Sequence, residues 1–198
     1  QDCAEAGLNV MTIPSLEDLV AGRVSVSTLR RIELDDLLGR DPVQLDDSGL
    51  HTLLTGQVVM VTGAGGSIGS ELCRQIARFA PAKLVLFEQS ELALYAMEQE
   101  LPQRFPGLPI APVIGDVKNA ARVNQVMAEQ RPAVVFHAAA YKHVPLMENA
   151  NAWEAVRNNV LGTQVVAAAA QAHGVAKFVM ISTDKAVNPT NVMGASKR

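Results

Sequence analysis

A glycine-rich turn after the first apolar run constrains the fold of this chain more than any other stretch. The run "VVMVTG" (58–63) leads directly into "AGGSIGSELCRQIARF", which spaces glycines three residues apart. Glycines permit a tight turn and let backbone amides approach a pyrophosphate, and a helix that begins there presents free N–H groups to the charge. Because the array follows a strand and opens a helix, it predicts dinucleotide binding, the alternative being a glycine turn without a ligand. The predicted contacts are Gly63, Gly66, Ser67, Ile68 and Gly69.

Short apolar runs alternate with helical patterns through the rest of the chain. The runs are rich in β-branched residues and nearly continuous, which is typical of strands covered on both faces. They lie at 58–63, 83–88, 110–116, 133–139 and 177–183, with helical patterns at 67–79, 90–105, 119–129 and 149–173. The alternation predicts an α/β fold, a doubly wound parallel sheet of the Rossmann-like kind with right-handed crossovers.

The first 50 residues lack this alternation. They are dense in charge, and Pro14 and Pro42 break them. We expect a linker or arm with short helices at 15–21 and 34–38, the tail of an upstream domain. Residues 51–198 are then expected to form the dinucleotide-binding domain that carries the catalytic residues. The abrupt ends are typical of a piece of a longer protein, truncated before its substrate-binding part.

Composition excludes several classes of function. A net charge of -3 provides no basic surface for nucleic acid. Cys3 and Cys73 lie 70 residues apart without metal-ligand spacing, which favours a reducing compartment and no metal site. No apolar run approaches the ~18 residues of a membrane span. We therefore expect a cytoplasmic catalytic domain.

Side chains after the next strands suit the remainder of a dinucleotide. Glu88 ends the second run, 19 residues beyond Gly69, where a carboxylate accepts from the adenosine ribose hydroxyls and repels a 2′-phosphate. This favours NAD over NADP, unless Glu88 is only solvated and Ser90 or Glu91 shares the task. Asp116 and Val117 follow the third run, where the Asp116 carboxylate is expected to meet the adenine amino group, if it is not an ordinary loop carboxylate. Ala138, Ala139 and Ala140 are small enough for the dinucleotide to lie against the backbone.

The fifth run ends in "STDK", which places a carboxyl beside an amine. Ligands of open α/β sheets bind outside the carboxyl ends of the strands, where Asp184 and Lys185 lie. An acid and a base at adjacent positions suit the removal of water from a substrate. Nearby cofactor and phosphate charges are expected to move the pKa of Asp184 toward neutrality. The alternative is an ordinary polar turn.

Several of these stretches resemble a known family. "TGAGGSIG", "GD", "HAAA" and "NNVLGT" are similar to the extended short-chain dehydrogenase/reductases. "FHAAAYKHVPLME", "STDKAVNPTNVMGASK" and the leader "IELDDLLGRDPV" resemble a narrower group, the CapD/WbpM-like nucleotide-sugar 4,6-dehydratases of bacterial polysaccharide biosynthesis. The resemblance covers residues 32–198.

The resemblance implies dehydration of a UDP-N-acetylhexosamine, UDP-N-acetylglucosamine in the first place, to a 4-keto-6-deoxy sugar. A hydride passes from C4 to bound NAD, water is lost across C5–C6, and the hydride returns to C6. The product would serve capsule, lipopolysaccharide or other surface glycans. Large family members carry an N-terminal membrane region, which implies a parent protein anchored in the bacterial inner membrane. We also expect a homo-oligomer.

The resemblance also assigns roles to residues of the last segment. Asp184 is the expected acid, Lys185 the base, Thr183 a partner of the sugar O4, and Lys197 the residue that holds the nicotinamide ribose. Met193 stands four residues before Lys197, where the wider superfamily has a tyrosine. A thioether cannot exchange a proton, so the O4 proton must leave through Asp184, Lys185 or a water. The site is therefore expected to be altered and still active.

Other positions are expected to support this site. Asn159 resembles the helix asparagine that orders sheet and active site, and it is grouped with the cofactor contacts, whereas Asn158 is expected at the surface. Tyr141 precedes its helix and has no lysine four residues later, so it is not expected to be the missing acid or base. The predicted substrate contacts are Lys142, His143, Thr183 and Asn191, with a loop histidine as the alternative for His143. The competing functions are a nucleotide-sugar 4-epimerase or 4-reductase, and a non-catalytic dinucleotide sensor.

Overall fold

The computed structural model describes residues 11–12, 30–31 and 46–198. The chain divides into two compact units, Gln1–Leu45 and Asp46–Arg198. In the first unit, the two-residue strands Met11–Thr12 and Arg30–Arg31 pair antiparallel. The helices predicted at 15–21 and 34–38 lie outside the described residues.

The second unit is built on a five-stranded parallel sheet. Its strands are β1 (Val58–Thr62), β2 (Lys83–Glu88), β3 (Ile110–Ile114), β4 (Val134–His137) and β5 (Lys177–Met180). Their spatial order is β3-β2-β1-β4-β5, and every neighbouring pair is parallel. This order confirms the predicted doubly wound, Rossmann-like sheet. The order reverses between β1 and β4, which places a ligand crevice at the carboxyl ends of those two strands.

Helices cover both faces of the sheet. They are α1 (Asp47–Leu54), α2 (Ser67–Ala77), α3 (Glu91–Arg104), α4 (Ala120–Gln130), α5 (Val144–Met147), α6 (Ala152–Ala155), α7 (Gly162–Ala172) and α8 (Val192–Lys197). Successive strand residues point to opposite faces, so Val59 and Val61 pack with α1, α2 and α3, whereas Met60 packs with α4 and α7. Helix α1 spans residue 50, where the arm was expected to end. Within the described ranges, no helix is both long and apolar enough to cross a membrane.

The helix predicted at 149–173 is divided in the structure. A 3₁₀ turn (Asn149–Asn151) and α6 lead into a π-helical segment (Val156–Leu161), and α7 follows. A π turn holds one residue more than an α turn, and such turns are frequent at functional sites. Here the π segment buries both Asn158 and Asn159.

Four of the predicted strands are shorter than the apolar runs that indicate them, β1 by one residue and the other three by more. β3, β4 and β5 end at Ile114, His137 and Met180, two or three residues before the ends of the runs. The residues that follow leave the sheet and form the loops at its carboxyl edge.

Candidate active site

The glycine array forms a close turn between β1 and α2. Gly63 has φ +68°, and a Cβ there would lie 2.8 Å from the backbone of Ala139. A Cβ on Gly69 would overlap the carbonyl oxygen of Gly63. A Cβ on Gly66, at the N-cap of α2, would meet only that carbonyl oxygen, at 3.3 Å. Gly63 and Gly69 therefore close the turn, and at Gly66 an added Cβ would be tight against a single backbone atom.

The carboxylate of Glu88 joins this turn to the end of β2. Its Oε2 accepts from the backbone N–H of Gly65 at 3.0 Å, and its Oε1 accepts from those of Gln89 and Ser90 at 2.9 and 3.0 Å. The side chain is buried. Three backbone donors thus fix the carboxylate in one orientation at the edge of the crevice.

A first cavity of about 270 Å³ lies against the glycine turn. Seven predicted cofactor contacts line it: Gly63, Gly66, Glu88, Val117, Ala138, Ala139 and Ala140. Eight other lining residues were not predicted as cofactor contacts, although Tyr141 directly follows the predicted alanines and Asn158 is adjacent to Asn159 in "NNVLGT". The missed residues are Gly65, Phe87, Gln89, Ser90, Ala93, Gly115, Tyr141 and Asn158.

Asp116 lies beside this cavity without lining it. Its Oδ2 pairs with Lys118 Nζ at 2.9 Å, and its Oδ1 accepts from the Lys118 backbone N–H at 2.8 Å. Partial burial raises the pKa of Asp116, but these contacts outweigh burial and leave the pKa below its usual value. The same ammonium lies 3.4 Å from Asn158 Oδ1 and 5.9 Å from the centre of the Tyr141 ring. Lys118 therefore connects the loop after β3 to the π segment and to Tyr141.

A second cavity of about 310 Å³ adjoins the first. The two share Ala138, Ala140 and Tyr141 as a common wall, so one elongated ligand can extend from one into the other. Three lysines contribute positive charge to it. Its lining is Ile68, Ala138, Ala140, Tyr141, Lys142, Ile181, Ser182, Thr183, Lys185, Met193 and Lys197. Among the residues that the structure describes, no three His, Cys, Asp or Glu side chains are placed to hold a metal ion.

The "TDK" segment lies at the mouth of the second cavity. Thr183 Oγ1 donates to Asp184 Oδ1 at 2.9 Å, and Lys185 Nζ lies 3.4 Å from the same oxygen. Thr183 and Lys185 line the cavity, whereas the Asp184 side chain is 86% exposed. The hydrogen bond from Thr183 and then the contact with Lys185 lower the pKa of Asp184. Without a ligand the exposed carboxylate is stabilised by these two donors, and the shift toward neutrality stays a prediction for the site with cofactor and sugar bound.

Helix α8 positions Met193 and Lys197 on its buried face. The two side chains are 5% and 7% exposed, and both line the second cavity. Burial lowers the pKa of Lys197. Gly194 lets the helix approach the preceding segment, because a Cβ there would overlap the carbonyl oxygen of Lys185.

The predicted substrate contacts differ in whether they line a cavity. Lys142 lines the second cavity, and its Nζ donates to Ser67 Oγ at 2.7 Å. His143 is exposed at the start of α5 and lines neither cavity. Asn191 also lines neither cavity, and its Oδ1 caps α8 by accepting from Gly194 N at 2.7 Å. The capping bond therefore accounts for Asn191 without a substrate.

The side-chain amide of Asn159 makes its hydrogen bonds to other residues of the protein. Its Oδ1 accepts from Tyr141 N at 2.8 Å and its Nδ2 donates to Tyr141 O at 3.0 Å, so the amide holds the Tyr141 backbone on both sides. The Nδ2 also donates to Ser196 Oγ at 2.9 Å, and Ser196 Oγ donates to Met193 O at 2.8 Å. The predicted cofactor contact at Asn159 is thus replaced by a positioning role. Asn158 is buried and lines the first cavity, so its predicted surface position is wrong.

This chain has relatives among proteins of known sequence and structure. The family model of the polysaccharide biosynthesis proteins matches residues 59–198. The chain belongs to this family. It is 51% identical over 197 residues to the capsular polysaccharide biosynthesis protein CapD of Staphylococcus aureus. This alignment covers 99% of this chain and 33% of that protein. It is 34% identical over 146 residues to a UDP-N-acetylglucosamine 4,6-dehydratase (inverting) of Campylobacter jejuni, with coverages of 73% and 42%.

A solved structure shows the same fold at lower identity. The UDP-glucose 4-epimerase of Bifidobacterium longum, crystallised with NAD+ and UDP, superposes with a TM-score of 0.62 at 24% identity, covering 71% of this chain and 45% of the epimerase. These relatives confirm the resemblance to the dehydratase group of the extended short-chain dehydrogenase/reductases. The chain spans 33% of the length of the Staphylococcus aureus CapD and 42% of that of the Campylobacter jejuni dehydratase.

A series of buried hydrogen bonds lies beneath the site, and the sequence did not predict it. His137, at the end of β4, is fully buried. Its Nδ1 lies 2.7 Å from Thr62 Oγ1 on β1, and its Nε2 lies 2.9 Å from Thr163 Oγ1 on α7. Thr163 Oγ1 donates its proton to the Asn159 carbonyl at 2.6 Å, so it accepts from His137 Nε2. His137 is then neutral, with Nδ1 accepting from Thr62. A histidine inside the apolar run "AVVFHAA" is the one sequence signal for this chain of bonds.

We expect the free energy of unfolding of this chain to fall as the pH is lowered from 6.5 to 5. Burial, and then the charge of Lys197, lower the pKa of His137 to about 4. The unfolded chain binds this proton from about pH 6.5 downward and the folded chain does not, so acid favours unfolding by up to roughly 3 kcal/mol at pH 4. Urea titrations at pH 7, 6 and 5 measure the slope. His137→Gln should flatten it and His173→Gln, at an exposed position, should not. A flat wild-type profile would contradict the buried neutral histidine.

Proposed function

We propose that the parent protein of this chain catalyses NAD-dependent 4,6-dehydration of a UDP-N-acetylhexosamine, UDP-N-acetylglucosamine in the first place. The observation that carries the proposal is the second cavity, where Thr183 and Lys185 lie beside the wall shared with the dinucleotide cavity. Loss of water needs a base at one carbon and an acid at the next. The relative that is named as a UDP-N-acetylglucosamine 4,6-dehydratase supports the same substrate class, and the relative that is named as a capsular polysaccharide biosynthesis protein supports the biosynthetic role.

The first cavity suits a dinucleotide. Gly66, at the N-cap of α2, lines this cavity, so the free N–H groups of the first turn of this eleven-residue helix suit a pyrophosphate. Glu88 offers a carboxylate of fixed orientation to ribose hydroxyls. NAD, when bound, supplies a hydride acceptor that is regenerated in each turnover. Lys197, which lines the neighbouring cavity, would hold the nicotinamide ribose.

Three residues divide the proton chemistry of the sugar. Lys185 removes the C5 proton, and Asp184 protonates the departing C6 hydroxyl. Asp184 must therefore gain a proton before this step, which requires that the bound sugar covers its exposed side chain and raises its pKa. Thr183, which donates to Asp184 when the sugar is absent, turns its hydroxyl to the sugar O4.

A 4-epimerase is the second candidate, because the epimerase of Bifidobacterium longum has the same fold. Epimerisation changes only C4 and needs no acid and base for C5–C6. The adjacent Asp184 and Lys185 therefore favour dehydration.

Incubation of the intact parent protein with UDP-N-acetylglucosamine in deuterated water separates these functions. Dehydration gives a 4-keto-6-deoxy sugar with one deuterium at C5, visible by NMR and mass spectrometry. Epimerisation gives the C4 epimer with hydrogen at C5. A dinucleotide sensor binds NAD and leaves the sugar unchanged. Either of the last two results would overturn the proposal.

Glu88 is expected to set the preference for NAD. We expect this chain to bind NAD(H) more tightly than NADP(H) in calorimetry, and Glu88→Ala to reduce the difference by about 1–2 kcal/mol, as for a lost charged hydrogen bond. The same change removes the acceptor of three backbone donors, so the free energy of unfolding should also fall by about 1–3 kcal/mol. Glu91→Ala, at the exposed first turn of α3, is the matched control. Equal wild-type affinities for both cofactors would contradict the assignment.

The context of the whole protein is also proposed from the resemblance. Residues 1–50 form the end of an upstream part, and the parent is a homo-oligomer anchored in the bacterial inner membrane. The catalytic domain then faces the cytoplasm, where UDP-sugars are made.

A further inference from the structure

The methionine at position 193 leaves the sugar O4 without an evident proton acceptor. Met193 lines the second cavity together with Lys197, so the place of the superfamily tyrosine is inside the site and is filled by a thioether. Of the groups first considered, Asp184 is already assigned to the C6 hydroxyl and Lys185 to the C5 proton, so neither is free to take the O4 proton.

Tyr141 brings a phenol to the same place from a different element. It lines both cavities, and its ring packs against the small apolar cluster that contains Met147, Ala155 and Met193. The other tyrosine of the chain, Tyr95, is 55% exposed on α3. Tyr141 is therefore the one phenol of residues 46–198 that lies at the junction of the cofactor cavity and the sugar cavity.

The backbone of Tyr141, although it lies in a loop, is held on both sides by hydrogen bonds. The buried amide of Asn159 bonds both its N–H and its C=O, and this amide is in turn tied to Ser196 on α8. The backbone of Tyr141 is thereby held in register with the helix that carries Met193 and Lys197. Within the described part of the chain, the hydrogen bonds of Tyr141 run through its backbone, which leaves its hydroxyl for a ligand.

We infer that Tyr141 is the catalytic residue that exchanges the O4 proton of the sugar, in place of the tyrosine that Met193 replaces. The inference rests on the proposed dehydration. As the hydride leaves C4 toward the dinucleotide, the electron pair of the O4–H bond forms C4=O, and the O4 proton passes to the phenolic oxygen of Tyr141, which gives up its own proton to solvent. Asp184 takes one proton back from solvent after protonating the departing hydroxyl, so protons balance over a turnover.

A binding experiment tests the contact without turnover. In the intact parent protein saturated with NADH, Tyr141→Phe should weaken UDP-N-acetylglucosamine about 5- to 10-fold in calorimetry, as for one lost hydrogen bond. The 4-deoxy analogue should bind both proteins equally, because it lacks the hydroxyl. Tyr95→Phe is the matched control and should leave both ligands unchanged. An equal loss for the 4-deoxy analogue would mean that Tyr141 only shapes the cavity, and would overturn the inference.

A rescue experiment tests the chemistry. Tyr141→Phe should slow the first hydride transfer, followed as NADH absorbance in a single turnover, by about 10²–10⁴-fold. Adding Met193→Tyr to this variant should recover at least tenfold of the loss, since it returns a phenol to the cavity beside Lys197. Wild-type rates in Tyr141→Phe, or no recovery in the double variant, would overturn the role of Tyr141. If the wild-type parent itself forms no 4-keto sugar, the proposed function fails first.

Discussion

In the intact parent protein, Lys185→Ala should lower the rate of 4-keto sugar formation by about 10²–10⁴-fold, the usual contribution of a general acid or base. The reason is that Lys185 lines the sugar cavity and is the amine assigned to the C5 proton. Incorporation of deuterium at C5 from solvent should be lost with it. Asp184→Asn should be comparably slow at a later step, so that NADH accumulates after the first hydride transfer.

Two substitutions serve as comparisons for this result. Met193→Ala removes packing in the cavity and should cost no more than about tenfold. Lys177→Ala removes an exposed lysine of β5 and should leave the rate unchanged. A Met193→Ala enzyme slower than Asp184→Asn would mean that position 193 still governs catalysis and that the acid and base are misassigned.

Gly69→Ala should abolish dinucleotide binding, with at least a 100-fold loss of NAD affinity in calorimetry. The added methyl would overlap the carbonyl oxygen of Gly63, so either the turn opens or α2 moves away from the pyrophosphate site. Ser70→Ala, one residue further along α2, is the matched control and should bind NAD normally. Circular dichroism confirms that both variants fold. Normal NAD binding by a folded Gly69→Ala variant would contradict the site.

Local patterns were sufficient to predict the sheet and the glycine turn. A strand buried on both faces needs a continuous apolar run, and a turn with positive φ at Gly63 needs glycine, so both leave marks within a few residues of sequence. For the same reason the positions of Glu88 and of the three alanines at the cavity wall follow from counting residues to the end of a strand.

The support of the site could not be predicted in this way. Lys118 reaches Asn158 over 40 residues, and His137 reaches Thr62 over 75. Such contacts depend on which side chains the folded sheet brings together, and nothing in a single sequence marks the partners. Tyr141 illustrates the same limit, because a spacing rule of four residues cannot detect a phenol contributed by another element.

The π segment makes the site depend on the number of residues between α6 and α7, and not only on their identity. An α-helix advances 100° per residue, so two adjacent side chains of a regular helix diverge, and one of a neighbouring pair tends to leave the buried face. The extra residue in Val156–Leu161 lets Asn158 and Asn159 both point inward, one to the first cavity and one to Tyr141. Deleting a single residue there would restore a regular helix and withdraw one of the two amides. We therefore expect a one-residue deletion in this segment to disturb the first cavity and the Tyr141 backbone more than a substitution of its exposed Val160 does.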